Sequence, residues 1–225
     1  MFEMGDSHWR VRILLGVIIM ASALGAEAQT ADHHPPQNAE EYIKRMEDPE
    51  REQWQQPDQV VDTLDLKGED EVADIGAGSG YFTMRLAKSI GPSGKVYAVD
   101  IDQKLLDYID ARAEREKLDN IQTVLGVEDD PRLGSASVDL IFICDTLHHI
   151  QNRPRYYKLL LRALRSGGRL VIVDFQKRDL PVGPPVEMKI DKKACIKEIE
   201  AAGFHLAKDN DFLKYQYFLE FEIEG

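Results

Sequence analysis

Three groups of residues in this 225-residue chain have types and spacings suited to chemistry: Glu71 to Tyr81 (E-V-A-D-I-G-A-G-S-G-Y), a lone acid at Asp100, and Cys144 to His149 (C-D-T-L-H-H). In the first, Val72, Ala73 and Ile75 form a short apolar run, and Gly76, Gly78 and Gly80 follow at spacing two with Ala77 between them. This pattern predicts a buried strand entering a glycine turn, with a helix over 82–90 behind it. Glycines there permit positive φ and let a ligand touch the backbone with no Cβ in the way. The helix start offers N–H groups to polar ligand atoms. Asp74, at the strand tip, could accept from an ammonium group or from the loop itself. Asp100 ends the next predicted strand, Lys95 to Ile101, about 20 residues past the last glycine, where a carboxylate can accept both hydroxyls of a ribose. Turn and acid together predict a nucleoside grip.

Such a grip fits dinucleotides as well as S-adenosylmethionine. A dinucleotide fingerprint has the form G-x-G-x-x-G, whereas these glycines run G-A-G-S-G and are followed by Tyr81 and Phe82. The spacing disfavours NAD. Asp74, Gly76, Gly78 and Gly80 match the acidic-x-G-x-G-x-G first motif of the class I S-adenosylmethionine-dependent methyltransferases, which the chain resembles from Gln53 to its C-terminus. Its general likeness is to the small-molecule branch of ubiquinone-biosynthesis and type 11 methyltransferases. The resemblance implies S-adenosyl-L-methionine as cofactor, a small-molecule methyl acceptor, and contacts from Asp74, Gly76, Ala77, Gly78, Gly80, Tyr81, Asp100, Ile101 and Asp145. Related enzymes often carry Gly-Asp at the third strand tip, the Asp accepting from adenine. Here Val127 follows Gly126, so an acid for adenine must be Glu128 or Asp129, unless both belong to a solvated loop. Arsenite methylation is disfavoured, since only Cys144 is suitably placed among two cysteines.

Cys144 to His149 would stand beside the reacting sulfonium. Methyl transfer needs an in-line nucleophile, and any proton on it must go to a positioned base. Histidine titrates near neutrality, so His148 and His149, with Asp145, are the catalytic candidates, against a structural role under the next helix. A zinc site is disfavoured, because no cysteine pair or further metal-ligand spacing accompanies the two histidines. Tyr81 could lie over the methionine portion, where aromatic faces attract a sulfonium, or pack on the segment before the first strand. Within that segment, Trp54 is either a lid residue or a core anchor.

The elements that position these groups alternate. Helices are predicted over 40–47, 57–66, 103–118, 155–164 and 192–202, and strands over 121–127, 138–144 and 169–175. Ser166-Gly167-Gly168 reads as a helix stop. Strands rich in Val and Ile, separated by helices, imply a parallel sheet covered on both faces. Segments 204–208 and 215–223 are too close for a crossover helix and should pair as an antiparallel hairpin. The fold class is therefore α/β: a doubly wound, mostly parallel seven-stranded sheet with a reversed C-terminal strand, as the family resemblance also implies.

With 43% hydrophobic and 30% charged residues, the chain can bury one good core. A net charge of −12 with scattered Lys and Arg disfavours nucleic acid as partner. Arg10 and Arg12 precede an apolar run, Ile13 to Leu24, too short for a comfortable membrane span, and Ala26-Glu27-Ala28 supplies a cleavage site. The expected organisation is a signal peptide over 1–28, a linker over 29–39 containing His33 and His34, and one methyltransferase domain over 40–225, in an exported protein. Met20 offers a second start that would leave the protein cytoplasmic. Two other readings stay open: a non-catalytic nucleoside-binding or scaffold protein, and a nicotinamide oxidoreductase. N-terminal sequencing of the natural protein should begin at Gln29; a chain beginning at Met1 or Met20 would contradict processing.

Overall fold

The computed structural model describes Met1 and residues 39–223. The chain divides into two units, Met1–Asp32 and His33–Gly225, and every described element belongs to the second. The expected export signal, and the linker up to Asn38 with His33 and His34, lie outside the described residues. Among the described residues no helix is long and apolar enough to cross a membrane.

Three helices, α1 (Ala39–Met46), α2 (Arg51–Gln55) and α3 (Pro57–Thr63), precede the sheet. Then come β1 (Glu71–Ile75), α4 (Thr83–Ile90), β2 (Lys95–Asp100), α5 (Gln103–Glu116), β3 (Ile121–Leu125), β4 (Val138–Cys144), α6 (Arg153–Ala163), β5 (Leu164–Phe175), α7 (Lys192–Glu200), β6 (Phe204–Asn210) and β7 (Gln216–Ile223). The sheet order is β3-β2-β1-β4-β5-β7-β6. Strands β1 to β5 pair in parallel, and β7 runs antiparallel to both β5 and β6. The expected fold class is thus observed, with β7 as the reversed strand.

Both sheet faces are apolar because successive side chains point to opposite sides. Ala73, Ile141, Ile143, Leu170 and Ile172 meet Tyr157 and Leu160 of α6 and Ile199 of α7. Val72, Val96, Leu140, Phe142 and Val171 meet Val60 of α3 and Leu86 and Ile90 of α4. Ala98 meets Leu106 and Ile109 of α5. Strand order reverses between β1 and β4, and in such sheets ligands bind beyond the carboxyl ends of the strands at that point.

One local expectation is corrected. Ser166-Gly167-Gly168, expected as a helix stop, lies inside β5: helix α6 already ends at Ala163, and Leu164 takes extended geometry with ψ 141°. Gly167 at φ 74° absorbs the irregularity where the β4–β5 register shifts between Val138 and Leu140.

Candidate functional site

The glycine turn has the predicted form. Gly76, Gly78 and Gly80 have φ of 74°, 57° and 77°. The N–H groups of Gly76 and Ala77 donate to the Val99 carbonyl at 2.8 and 3.0 Å, which ties the turn to the tip of β2. A Cβ on Gly76 would lie 2.1 Å from Thr146 Oγ1, and one on Gly78 2.6 Å from Met46 Sδ. Close approach therefore requires glycine on both sides of the turn: at Gly76 against the β4 tip, and at Gly78 against α1. Asp74 is 3% exposed and accepts from Thr83 Oγ1 at 2.6 Å. Burial pushes its pKa up to about 6.

Asp100 is buried and bridges two loops. One carboxylate oxygen accepts from Gly78 N–H at 2.8 Å, the other from Asp102 N–H at 3.0 Å. Each oxygen retains acceptor capacity for a further donor. Burial raises the Asp100 pKa against those hydrogen bonds. Asp102, not Asp100, caps α5, accepting from Lys104 N–H at 2.9 Å. Among the described residues the exposed large hydrophobic side chains, Met1 apart, are Ile101, Leu125 and Val127. All three stand at the tips of β2 and β3, a surface that can take a flat apolar ring beside Asp100.

At the tip of β4, Asp145 holds a left-handed backbone with φ 53°, unusual for a residue other than glycine. Its carboxylate meets Arg51 Nη2 at 3.5 Å and Gln55 Nε2 at 3.3 Å, and also accepts from Gln216 Nε2. Burial lifts its pKa to about 6, opposed by the Arg51 charge. His148 Nδ1 lies 2.9 Å from Asp174 Oδ1, and the His148 N–H donates to Asp174 Oδ2 at 3.3 Å. Asp174 is fully buried at the end of β5, so Nδ1 carries the proton in neutral His148 and Nε2 is the basic nitrogen. Burial alone would lower the His148 pKa, but the Asp174 hydrogen bond and charge, with Asp145, raise it. His149 is exposed, and its ring lies tilted at 45° to that of His148, with centroids 4.2 Å apart.

The structure therefore gathers Asp74, Gly76, Ala77, Gly78, Gly80, Asp100, Asp145 and His148 at neighbouring strand ends. Glu128 is exposed after Val127 beyond β3, and the Asp129 carboxylate pairs with Arg155. Tyr81 is buried, donates to Glu52 at 3.1 Å, and carries the guanidinium groups of Arg51 and Arg85 over its ring at 4.1 and 4.3 Å. That matches packing on the segment before β1. Trp54 is half-buried and packs against Phe175 at 5.7 Å. Among the described residues no cluster of His, Cys, Asp and Glu could hold a metal ion.

A family model described as a methyltransferase domain matches residues 66–219. The chain belongs to this methyltransferase family. It is a class I S-adenosylmethionine-dependent methyltransferase. A ubiquinone/menaquinone biosynthesis C-methyltransferase of Hahella chejuensis is 27% identical over 162 residues, covering 69% of this chain and 61% of that relative's length. A solved S-adenosylmethionine-dependent methyltransferase of Aquifex aeolicus superposes with a TM-score of 0.78 at 27% identity, covering 83% of this chain and 98% of the other. The [4+2]-cyclase SpnF shares the fold at a TM-score of 0.65 and 15% identity, covering 76% and 80%. Fold alone therefore leaves the reaction of this methyltransferase to be argued from its site.

Sequence reasoning missed Gln55, Asp174 and Gln216. All three are buried polar residues, and the apolar patterns of their segments carry no sign of them. Buried polar groups need partners, so an Asp ending a Val-Ile strand was the available signal for Asp174.

Asp74 provides a stability test of this methyltransferase. Its native pKa is raised above the unfolded value of 3.8, so between about pH 4 and 6 the native state holds a proton the unfolded chain has lost. Stability must fall as pH rises through that window, by about 2–3 kcal/mol for this group. In denaturant unfolding, Asp74→Asn minus native should therefore gain about 2–3 kcal/mol between pH 4 and pH 7.5. An unchanged difference would contradict the burial argument.

Proposed function

We propose that this enzyme transfers a methyl group from S-adenosylmethionine to a small-molecule nucleophile, with the adenosine held between the glycine turn, Asp100 and the apolar tips of β2 and β3. One observation carries the reading: the buried Asp100 carboxylate stands next to Ile101, which is 43% exposed, so a ribose acceptor and an apolar ring surface adjoin. The groups present fit the cofactor. Gly76, Gly78 and Gly80 leave backbone accessible, Asp100 has acceptor capacity for ribose hydroxyls, and Asp74 supplies negative charge below the turn.

When bound, the donor supplies a methyl group already activated by a positively charged sulfur. The chain's own task is orientation and proton removal. His148, held through Nδ1 by Asp174, presents Nε2 as a base for an acceptor O–H, N–H or acidic C–H. Asp174 acts through His148 and is a positioning residue. Asp145, clamped by Arg51, Gln55 and Gln216, fixes the β4 tip against the glycine turn and supplies a further donor contact. The curated relative's name supports carbon methylation of a quinol-like ring as the finer reading. The net charge of −12 supports a small acceptor over nucleic acid.

Incubation of the purified protein with methyl-labelled S-adenosylmethionine and a small-molecule cell extract tests the reading. Label should pass to an extract component, and Asp100→Ala should reduce transfer at limiting donor by at least about tenfold, the loss of about 1.4 kcal/mol in donor binding. Transfer to no component would leave a binder and contradict the enzyme.

Once the acceptor is isolated, His148→Gln should lower kcat by about 10²–10⁴ with donor affinity retained. Asp174→Asn should keep a smaller part of that loss and move the acidic limb of the pH profile to lower pH, because the charge that raises the His148 pKa is gone. An unmoved profile would contradict the positioning role.

A further inference from the structure

Beyond the ends of β5, β7 and β6, against the start of α7, lies a cleft of about 300 Å³ with no aliphatic side chain in its lining. Small-molecule pockets run from roughly this volume to about 1,000 Å³, so it has room for one small molecule. It is separate from the donor site. Gln216 lines it, but the side chain of that residue is committed elsewhere: Oε1 accepts from Gln55 Nε2 at 3.0 Å, and Nε2 donates to Asp145. Gln216 is therefore the partition between the cleft and the tip of β4.

The polar groups around the cleft are incompletely satisfied. Among the described residues four buried side-chain N or O atoms lack a hydrogen-bond partner, and two of them, Asn210 Nδ2 and the Tyr217 hydroxyl, belong to residues that line it. Buried polar groups are almost always paired, so unpaired ones call for a partner. The Tyr217 hydroxyl has the Cys195 thiol beside it, a weak partner. The charges divide in the same way. Lys192 pairs with Asp209 at 2.6 Å, and Asp191 is spent on the N-cap of α7. Lys177 and Asp211, which also line the cleft, are exposed and in no ion pair among the described residues. One uncommitted cation, one uncommitted anion and two unmet hydrogen-bonding groups thus face one small volume. A lone anion there would meet the Asp211 carboxylate, a lone cation would meet the Lys177 ammonium, and a neutral polyol would leave both charges unused. A molecule with one charge of each sign uses them all.

We propose that the cleft binds a free α-amino acid with a polar side chain, a ligand distinct from the methyl donor and the methyl acceptor. Its carboxylate meets Lys177 and Asn210 Nδ2, and its ammonium meets Asp211. The side chain of the ligand is polar because the cleft offers it hydrogen-bonding groups and no aliphatic surface on which to pack.

Calorimetric titration of the full chain with L-glutamine is the test, with S-adenosylhomocysteine present so that the amino-acid portion of the donor site is already filled. One saturable site with a Kd below about 1 mM is expected. N-acetyl-L-glutamine, which lacks the ammonium charge, and L-leucine, which lacks a polar side chain, should each bind at least about tenfold more weakly, and glucose should show no saturation at about 10 mM. Lys177→Gln and Asp211→Asn, both at exposed positions, should each weaken L-glutamine about tenfold or more. The native protein alone can overturn the proposal, by failing to saturate with L-glutamine at about 10 mM or by binding N-acetyl-L-glutamine, L-leucine or glucose as well as L-glutamine. Unchanged L-glutamine affinity in either variant overturns it too, because binding would then lie outside the cleft.

Discussion

The hydrogen bond from the Gly78 N–H to the buried Asp100 carboxylate, 2.8 Å long, is the contact on which the site depends. It joins the turn after β1 to the tip of β2, while the same carboxylate accepts from Asp102, the cap of α5. Two strand ends and a helix start are thereby fixed by one side chain. Hydrogen bonds to a carboxylate contribute about 1.5–3 kcal/mol each, against a substantial cost for burying the charge. The balance keeps Asp100 rigid and leaves it acceptor capacity toward the site.

The rest of the site is built around that junction. Gly76 and Gly78 let Thr146 and Met46 approach the turn from opposite sides, so the β4 tip and α1 both close on it. Glu47, at the end of α1, continues this contact by accepting from Ser79 Oγ at 2.6 Å and pairing with Arg112 of α5 at 2.8 Å. On the β4 side, Arg51 and Gln55 of α2 hold Asp145. The helices before the sheet therefore act as one wall of the site, and three acids, the buried Asp74 and Asp100 and the half-buried Asp145, are held in it with pKa values raised by loss of solvent. Clustered like charges of this kind reduce stability at neutral pH and suit a site that receives a cationic donor.

What the sequence made legible was what is local. The glycine spacing, the distance to Asp100 and the C-terminal hairpin each lie within a short stretch, and each has its predicted form. The exit of α6 straight into β5 was not legible, because Ser166-Gly167-Gly168 serves a helix stop and a strand irregularity equally well. The partners of the site residues were hidden by distance along the chain. Arg51 and Gln55 reach Asp145 across 94 and 90 positions, and Gln216 reaches it across 71. Asp174 meets His148 across 26, through a pairing of strand ends that no periodicity reports. Tyr81 could be read either way from sequence, and the two guanidinium groups over its ring are what the fold adds. Of the two acids beyond β3, Asp129 pairs with Arg155, a partner 26 positions away that no local pattern reports.

Calorimetric titration of the purified protein with S-adenosylmethionine and, separately, with NAD tests the central claim most directly. The arrangement of Asp100, the G-A-G-S-G turn and the apolar tips of β2 and β3 predicts one saturable site for S-adenosylmethionine and no binding of NAD at the same concentrations. Saturable binding of NAD with none of S-adenosylmethionine would contradict it.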